Sequence, residues 1–358
     1  MTEVARFSIQ HTQFLDENGN PTQALPAFCD NHELLVHLYR TMFHTRAFDD
    51  KAIKLQRTGK MGGTYASSLG QEAIFVGYGS AMQETDVLVP YYRDYGAMFQ
   101  RGITMVDILR YWGGDEQGNH FAAKEDFPIC VPIASQCLHA AGVAKAFQYR
   151  KQSRAVVVTI GDGGTSEGDF YEALNVAGDW KLPVVFVINN NQWAISVPRA
   201  AQTGAETLAQ KAIAAGITGE QVDGNDVIAM RHVADRALER ARNGEGPTVI
   251  EAMTYRLCDH TTSDDAKRYV NASDLEAAWA KEPLVRLRHY LAAQGLWDDT
   301  QEEQLRLDCR EQIEAAVQEY INTPTQPISS MFDYHYAELP LELARQRHEA
   351  VELGGEHD

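Results

Sequence analysis

The chain has 358 residues, with 32 Lys+Arg against 50 Asp+Glu and a formal net charge of −18. That acid excess excludes nucleic acid as a main partner, since phosphate backbones are gripped by clustered Lys and Arg, and the length suits one large α/β domain or roughly two ordinary ones, with core enough to fold unaided. Five cysteines, an odd number with no CxxC pair, exclude a disulfide framework and a thiolate zinc site and point to a reducing compartment.

Met1–Gln10 carries Glu3 and Arg6 and no apolar core segment, so no signal peptide is expected. Asp16-Glu17-Asn18-Gly19-Asn20-Pro21, then Pro26, reads as a turn-rich N-terminal arm over residues 1–30. From His32 to Arg57 the spacing of Leu34, Leu35, Leu38, Met42 and Phe43 predicts a helix, stopped by Gly59 and Gly62-Gly63. A second helix is expected from Gly70 to Met82, then a short buried strand over Asp86–Val89. Arg154–Ile160 and Pro183–Asn189 are runs of β-branched residues and predict buried strands, with a turn at Gly161–Gly168 and a helix over Phe170–Trp180 between them. A helix near Leu208–Ala215, a strand around Gln221–Val222, a helix over Val227–Arg242 and a strand over Pro247–Met253 follow. Strands alternating with helices imply βαβ units: an α/β fold with a parallel sheet covered by helices on both faces, over residues 31–272. From Ser273 the chain reads as helical and charged, with Leu284, Leu287, Tyr290 and Leu291 facing inward, so residues 273–358 are expected to pack on the same domain. The longest apolar runs are strand-length, far below the roughly 18–20 residues of a membrane span. A cytoplasmic protein without membrane contact is expected.

In an open parallel sheet ligands bind beyond the carboxyl ends of the strands. Here the strand ends carry Gly161-Asp162-Gly163-Gly164 and, about 25 residues later, Asn189-Asn190-Asn191-Gln192-Trp193. Adjacent parallel strands would set these turns side by side. Gly161, Gly163 and Gly164 let backbone approach a ligand, and the helix that follows offers free N–H groups to phosphate. A carboxylate about 4 Å from a phosphate is repelled by roughly 4 kcal/mol at a surface-like dielectric, so Asp162 makes sense if a divalent cation lies between them. Mg²⁺ takes carboxylates plus phosphate oxygens, and Asn191 could add a neutral oxygen. A Rossmann fingerprint fails because Ser166 occupies its last glycine position, and a Walker loop fails for want of its lysine.

The paired turns match the thiamin diphosphate fingerprint. Ser68-Leu69-Gly70-Gln71-Glu72-Ala73, Pro90-Tyr91-Tyr92-Arg93-Asp94, Thr159–Asp169, Ala252-Met253-Thr254-Tyr255-Arg256, His260-Thr261-Thr262-Ser263-Asp264-Asp265 and Glu282-Pro283-Leu284-Val285-Arg286 extend the match. Together they make the chain, from about Gln13 to Glu349, resemble the α subunits of thiamin diphosphate-dependent 2-oxo acid dehydrogenase E1 components. The resemblance implies that Asp162 and Asn191 ligate Mg²⁺ through their side chains and Trp193 through its backbone carbonyl. It places Tyr92 and Arg93 on the diphosphate, with Gly161, Gly163 and Gly164 giving backbone approach, and Ile133 under the bent cofactor. It makes His260 the catalytic acid/base or oxyanion stabiliser, also in contact with the cofactor. In some relatives the hydroxyl residue after that histidine is phosphorylated; Thr261 holds the place, and no such regulation is expected here.

The activity implied is oxidative decarboxylation of a small 2-oxo acid with acyl transfer to the lipoyl group of a separate E2 acyltransferase. The family's activating glutamate belongs to the β subunit, so an α2β2 heterotetramer is expected. Thr165–Tyr171 and Gln202–Ile217 look closest to bacterial pyruvate dehydrogenase α subunits. Thr262-Ser263-Asp264-Asp265 also resembles branched-chain 2-oxo acid dehydrogenases, and acetoin dehydrogenase α subunits share the cofactor motifs. Tyr91, in a place to sense substrate side chains, would shorten the pocket in favour of pyruvate.

Overall fold

Short β-branched runs that cannot be solvated on either face become the buried strands of a parallel sheet. In the computed structural model, which describes residues 1–354, the strands are β1 (His11–Thr12), β2 (Val87–Val89), β3 (Val156–Gly161), β4 (Val184–Asn190), β7 (Thr218–Asp223) and β8 (Thr248–Met253). They form a six-stranded sheet in the order β1-β7-β8-β4-β3-β2, with every neighbouring pair parallel. A small antiparallel hairpin, β5 (Trp193–Ala194) and β6 (Val197–Pro198), stands apart.

Side chains alternate across the sheet and build a core on each face. Val156, Val158, Ile160, Val184, Phe186 and Ile188 point to one core, shared with Cys137, Ala140, Phe170 and Leu174. Those four come from helices Ser135–Tyr149 and Gly168–Trp180. Val157, Val185, Val187 and Ile250 point to the other core, shared with Leu38, Phe75, Ile228 and Leu287. These belong to helices His32–Arg57, Glu72–Ala81, Val227–Arg242 and Pro283–Ala293. The last helix lies in the C-terminal region, whose Leu284, Leu291, Leu305 and Ile313 join this same core.

Helices His32–Arg57 and Val227–Arg242 match their predicted bounds. Helices Tyr95–Gln100 and Met105–Trp112 lie outside the predicted elements, and three further regions differ, each for a local reason. The N-terminal arm is also a sheet edge, since Gln221 donates its N–H to Gln10 at 2.9 Å and His11 and Thr12 pair with β7. Two residues are too few to show a period. Helix Ser135–Tyr149 has no strong sequence signal because its buried stripe is mostly small: Cys137, Ala140, Ala141 and Ala144 before Phe147. The helix expected near Leu208–Ala215 shrinks to the single turn Lys211–Ala214. The carboxylate of Glu251 takes the N–H groups of Leu208 and Ala209 at 2.9 and 3.0 Å, and Thr207 and Gln210 cap each other.

Asp226 joins the arm to the sheet. Its Oδ1 caps helix Val227–Arg242 by accepting the N–H groups of Ile228 and Ala229, and its Oδ2 accepts those of Phe14 and Leu15, both at 2.7 Å. Asp226→Ala removes a helix cap and strands buried donors, so we expect a loss of about 3 kcal/mol or more in denaturant unfolding. Amide exchange at Phe14 and Leu15 should quicken; unchanged exchange there would contradict the pinning role.

Candidate active site

The carboxyl ends of β2, β3, β4 and β8 open on one side of the sheet, and the predicted residues hang from them. Gly161 pairs with Asn189 in the β3–β4 register, so the two turns do lie side by side. They are stitched together by backbone: Asp162 N donates to Asn189 O at 3.2 Å, Thr254 N to Asn190 O at 3.0 Å and Arg256 N to Asn191 O at 3.2 Å. Thus Asp162, Asn191 and the β8 loop occupy one rim.

Asp162 is 3% exposed and has no Lys or Arg salt-bridge partner among the described residues. Among the described residues its one side-chain donor is Gln202 Nε2 at 3.4 Å. Burial pushes its carboxyl up to about 6. A buried carboxylate in that condition lacks a cation. The oxygen donors gathered here, a carboxylate and an asparagine amide, suit a hard cation such as Mg²⁺. Among the described residues no group of three or more His, Cys, Asp or Glu offers a competing metal cluster. Asn191 is 5% exposed; its Oδ1 accepts the Trp193 N–H at 3.2 Å.

The positive counterpart is a pair of buried guanidiniums. Arg93 is 1% exposed and Arg256 2%, and neither has a carboxylate partner among the described residues. Arg93 is not paired with its neighbour Asp94, whose Oδ1 takes the hydroxyls of Tyr78 and Thr159. Instead Arg93 donates to Ser67 O and, at 2.6 Å, to His260 O. Arg256 donates to Ile195 O at 2.8 Å, Cys258 O at 3.1 Å and the Tyr269 hydroxyl at 2.7 Å. Burial, then the nearby charge of Arg93, lowers the pKa of Arg256. Two like charges held together without an anion make a site for one, and a diphosphate fits that chemistry. The sequence motifs do not single out Arg256; an arginine just past a strand end and four residues before the candidate histidine is the one sign they offer.

His260 Nδ1 faces Arg93 Nη2 at 3.1 Å and Arg256 Nη1 at 3.4 Å. Guanidinium nitrogens only donate. Nδ1 therefore accepts, and the ring proton sits on Nε2. Burial first, then Arg93 and Arg256, lowers the His260 pKa to about 3. The backbone is fixed as well: Asp264 Oδ2 accepts the His260 N–H at 2.8 Å and also the Tyr269 hydroxyl.

The remaining predicted residues fall into place around this rim. The Tyr92 ring lies 5.1 Å from the Arg93 guanidinium carbon and 6.1 Å from the His260 ring. Gly163 and Gly164 are required by the protein's own packing rather than by a ligand alone. A Cβ on Gly163 would meet Ala194 Cβ at 2.4 Å, and one on Gly164 would meet Ile160 Cγ1 at 2.7 Å. Gly161 has only Tyr91 near, at 4.0 Å. The helix expected straight after this turn starts at Gly168, behind a 3₁₀ turn over Gly163–Ser166. Tyr91 lies in the floor, 3% exposed, its hydroxyl accepting Asn189 Nδ2 at 2.5 Å. Ile133 is exposed, not core, and lies beside Gly164, where an added Cβ would meet its Cγ2 at 3.0 Å; Ile195, also exposed, offers its carbonyl to Arg256. Backbone strain gathers here too: Ala134, Gln192 and Ile195 hold positive φ of 70°, 72° and 54°, a feature concentrated at functional sites.

A family model described as "Dehydrogenase E1 component" matches residues 39–329. The pyruvate dehydrogenase E1 component subunit alpha of Staphylococcus epidermidis is 42% identical over 341 residues, covering 93% of this chain and 90% of the relative. The protein of the same description from Staphylococcus aureus gives the same identity and coverage.

Proposed function

Because the chain belongs to the dehydrogenase E1 component family, we propose that it is the α subunit of a pyruvate dehydrogenase E1. In this reading it catalyses, with a β subunit, thiamin diphosphate-dependent oxidative decarboxylation of pyruvate and acyl transfer to a lipoylated E2. The observation that carries the reading is the meeting, on one rim, of a buried carboxylate lacking a cation with two buried guanidiniums lacking an anion. A metal–diphosphate unit satisfies both.

When bound, thiamin diphosphate supplies an acceptor for the electrons released as a 2-oxo acid loses carbon dioxide. Asp162, Asn191 and the carbonyl of Trp193 would hold Mg²⁺, and Tyr92 and Arg93 the diphosphate, with Gly161 leaving open space beside them. His260 stays a neutral imidazole that presents Nε2–H. That favours hydrogen-bond donation to a developing oxyanion over proton shuttling near pH 7. Arg256 and Asp264 hold its loop in position. Exposed Ile133 beside Gly164 and exposed Ile195 beside Arg256 support a β subunit completing the site there. No helix of the described residues is long and apolar enough to cross a membrane.

The test is 2-oxo-acid-dependent dye reduction by the chain assembled with its β partner, comparing pyruvate with a branched 2-oxo acid. We expect turnover with pyruvate only when thiamin diphosphate and Mg²⁺ are both present. A complex that binds the cofactor and turns over neither acid would overturn the substrate assignment. Failure to bind the cofactor would overturn the site.

A further inference from the structure

Gln71 is the residue before helix Glu72–Ala81 and is fully buried. Its Oε1 accepts two side-chain amides at once, Asn189 Nδ2 at 2.7 Å and Asn191 Nδ2 at 2.9 Å. Its own Nε2 has no partner among the described residues, and neither has Asn189 Oδ1. A buried amide donor left unpaired is unfavourable, so the Gln71 side chain is held here by what its oxygen accepts from the two asparagines.

What its oxygen does is choose which end of each asparagine faces it. An asparagine amide ends in an acceptor oxygen and a donor nitrogen, and only the oxygen serves a hard cation. With Asn191 Nδ2 tied to Gln71, Oδ1 is turned the other way, toward the N–H of Trp193. Trp193 is the residue whose carbonyl is assigned to the same ion.

We propose that Gln71 is a positioning residue for the metal: its Oε1 sets the Asn191 amide so that the carbonyl oxygen, not the amino group, meets Mg²⁺. The inference rests on Asn191 being a ligand, as proposed above. It names a glutamine that never touches the metal as a determinant of metal affinity.

The test is calorimetric titration of Mg²⁺ into the assembled complex at saturating thiamin diphosphate, with thermal unfolding in parallel. Gln71→Met should weaken Mg²⁺ by about 10–100-fold, the usual effect of losing a group that orients a ligand, while thermal unfolding without Mg²⁺ shows the variant still cooperatively folded. Gln71→Glu keeps an acceptor for both asparagines and should recover most of that affinity. Asn191→Ala should weaken Mg²⁺ at least as much, and the Gln71→Met/Asn191→Ala double variant no further, because one acts through the other. Unchanged Mg²⁺ affinity in Gln71→Met, equal losses in the Met and Glu variants, or multiplicative losses in the double variant would each overturn the inference. Unchanged affinity in Asn191→Ala alone would instead remove the ligand assignment beneath it.

Discussion

Asp162→Asn should abolish metal-dependent cofactor binding while making the metal-free chain more stable above about pH 6. The affinity loss should exceed the roughly 100-fold that marks the upper end for groups acting behind a ligand. The stability gain follows from burial, which raises the carboxyl of Asp162 from 3.8 to about 6. The folded chain then holds this proton more tightly than the unfolded chain. Stability from the group is present at low pH, declines as pH rises from about 4 to 6, and leaves a buried charge unfavourable by about 3 kcal/mol above that window. Asparagine carries no such charge. The same titration governs the metal: below about pH 6 protons compete, and Mg²⁺ affinity should fall up to about tenfold per pH unit. Denaturant unfolding of both chains at low and neutral pH, with Mg²⁺ titrations of the complexes, checks all of this. An Asn variant that binds Mg²⁺ within a few-fold of the parent, or is equally destabilised at both pH values, would sink it.

His260→Ala should lower turnover by about 10²–10³, the effect of removing one preorganised donor from a developing oxyanion. Asn in its place keeps an N–H and should retain more of the rate than Ala. The pH profile separates the two roles open to this residue. With the pKa of His260 lowered to about 3, its charge does not change between about pH 5 and pH 8, and no limb of the profile should belong to it. Dye reduction by the complex across that range is the measurement. A limb near the ordinary histidine value that disappears in His260→Ala would make the residue a proton shuttle instead.

Much of this arrangement is legible in the amino-acid sequence alone. The runs Val156–Ile160 and Val184–Ile188 are apolar on both faces, which only a covered parallel strand tolerates. Asp162 amid glycines and Asn191 past the next strand announce a shared rim. What escapes is what depends on distant partners. Gln71 meets Asn191 across 120 residues of chain, and although it lies in a motif shared with the family, nothing local shows what it touches. Arg256 reads as one arginine among many until its lack of a carboxylate is seen. The β1 edge is two residues long, and helix Ser135–Tyr149 buries alanines, so neither writes a strong period into the sequence. His260 is visible as a candidate, but its protonation is set by burial and then by Arg93 and Arg256, which the fold brings beside it.

The exposed apolar side chains beside the site, Ile133 and Ile195, bring a matter of supply. Apolar surface left in water invites self-association. A cell making this chain faster than its partner would accumulate copies with that rim uncovered, and the surplus would be lost to clumping or proteolysis rather than held in reserve. On the proposed pairing with a β subunit, production of the two chains is therefore expected to be matched one to one, with the scarcer chain setting the amount of working enzyme.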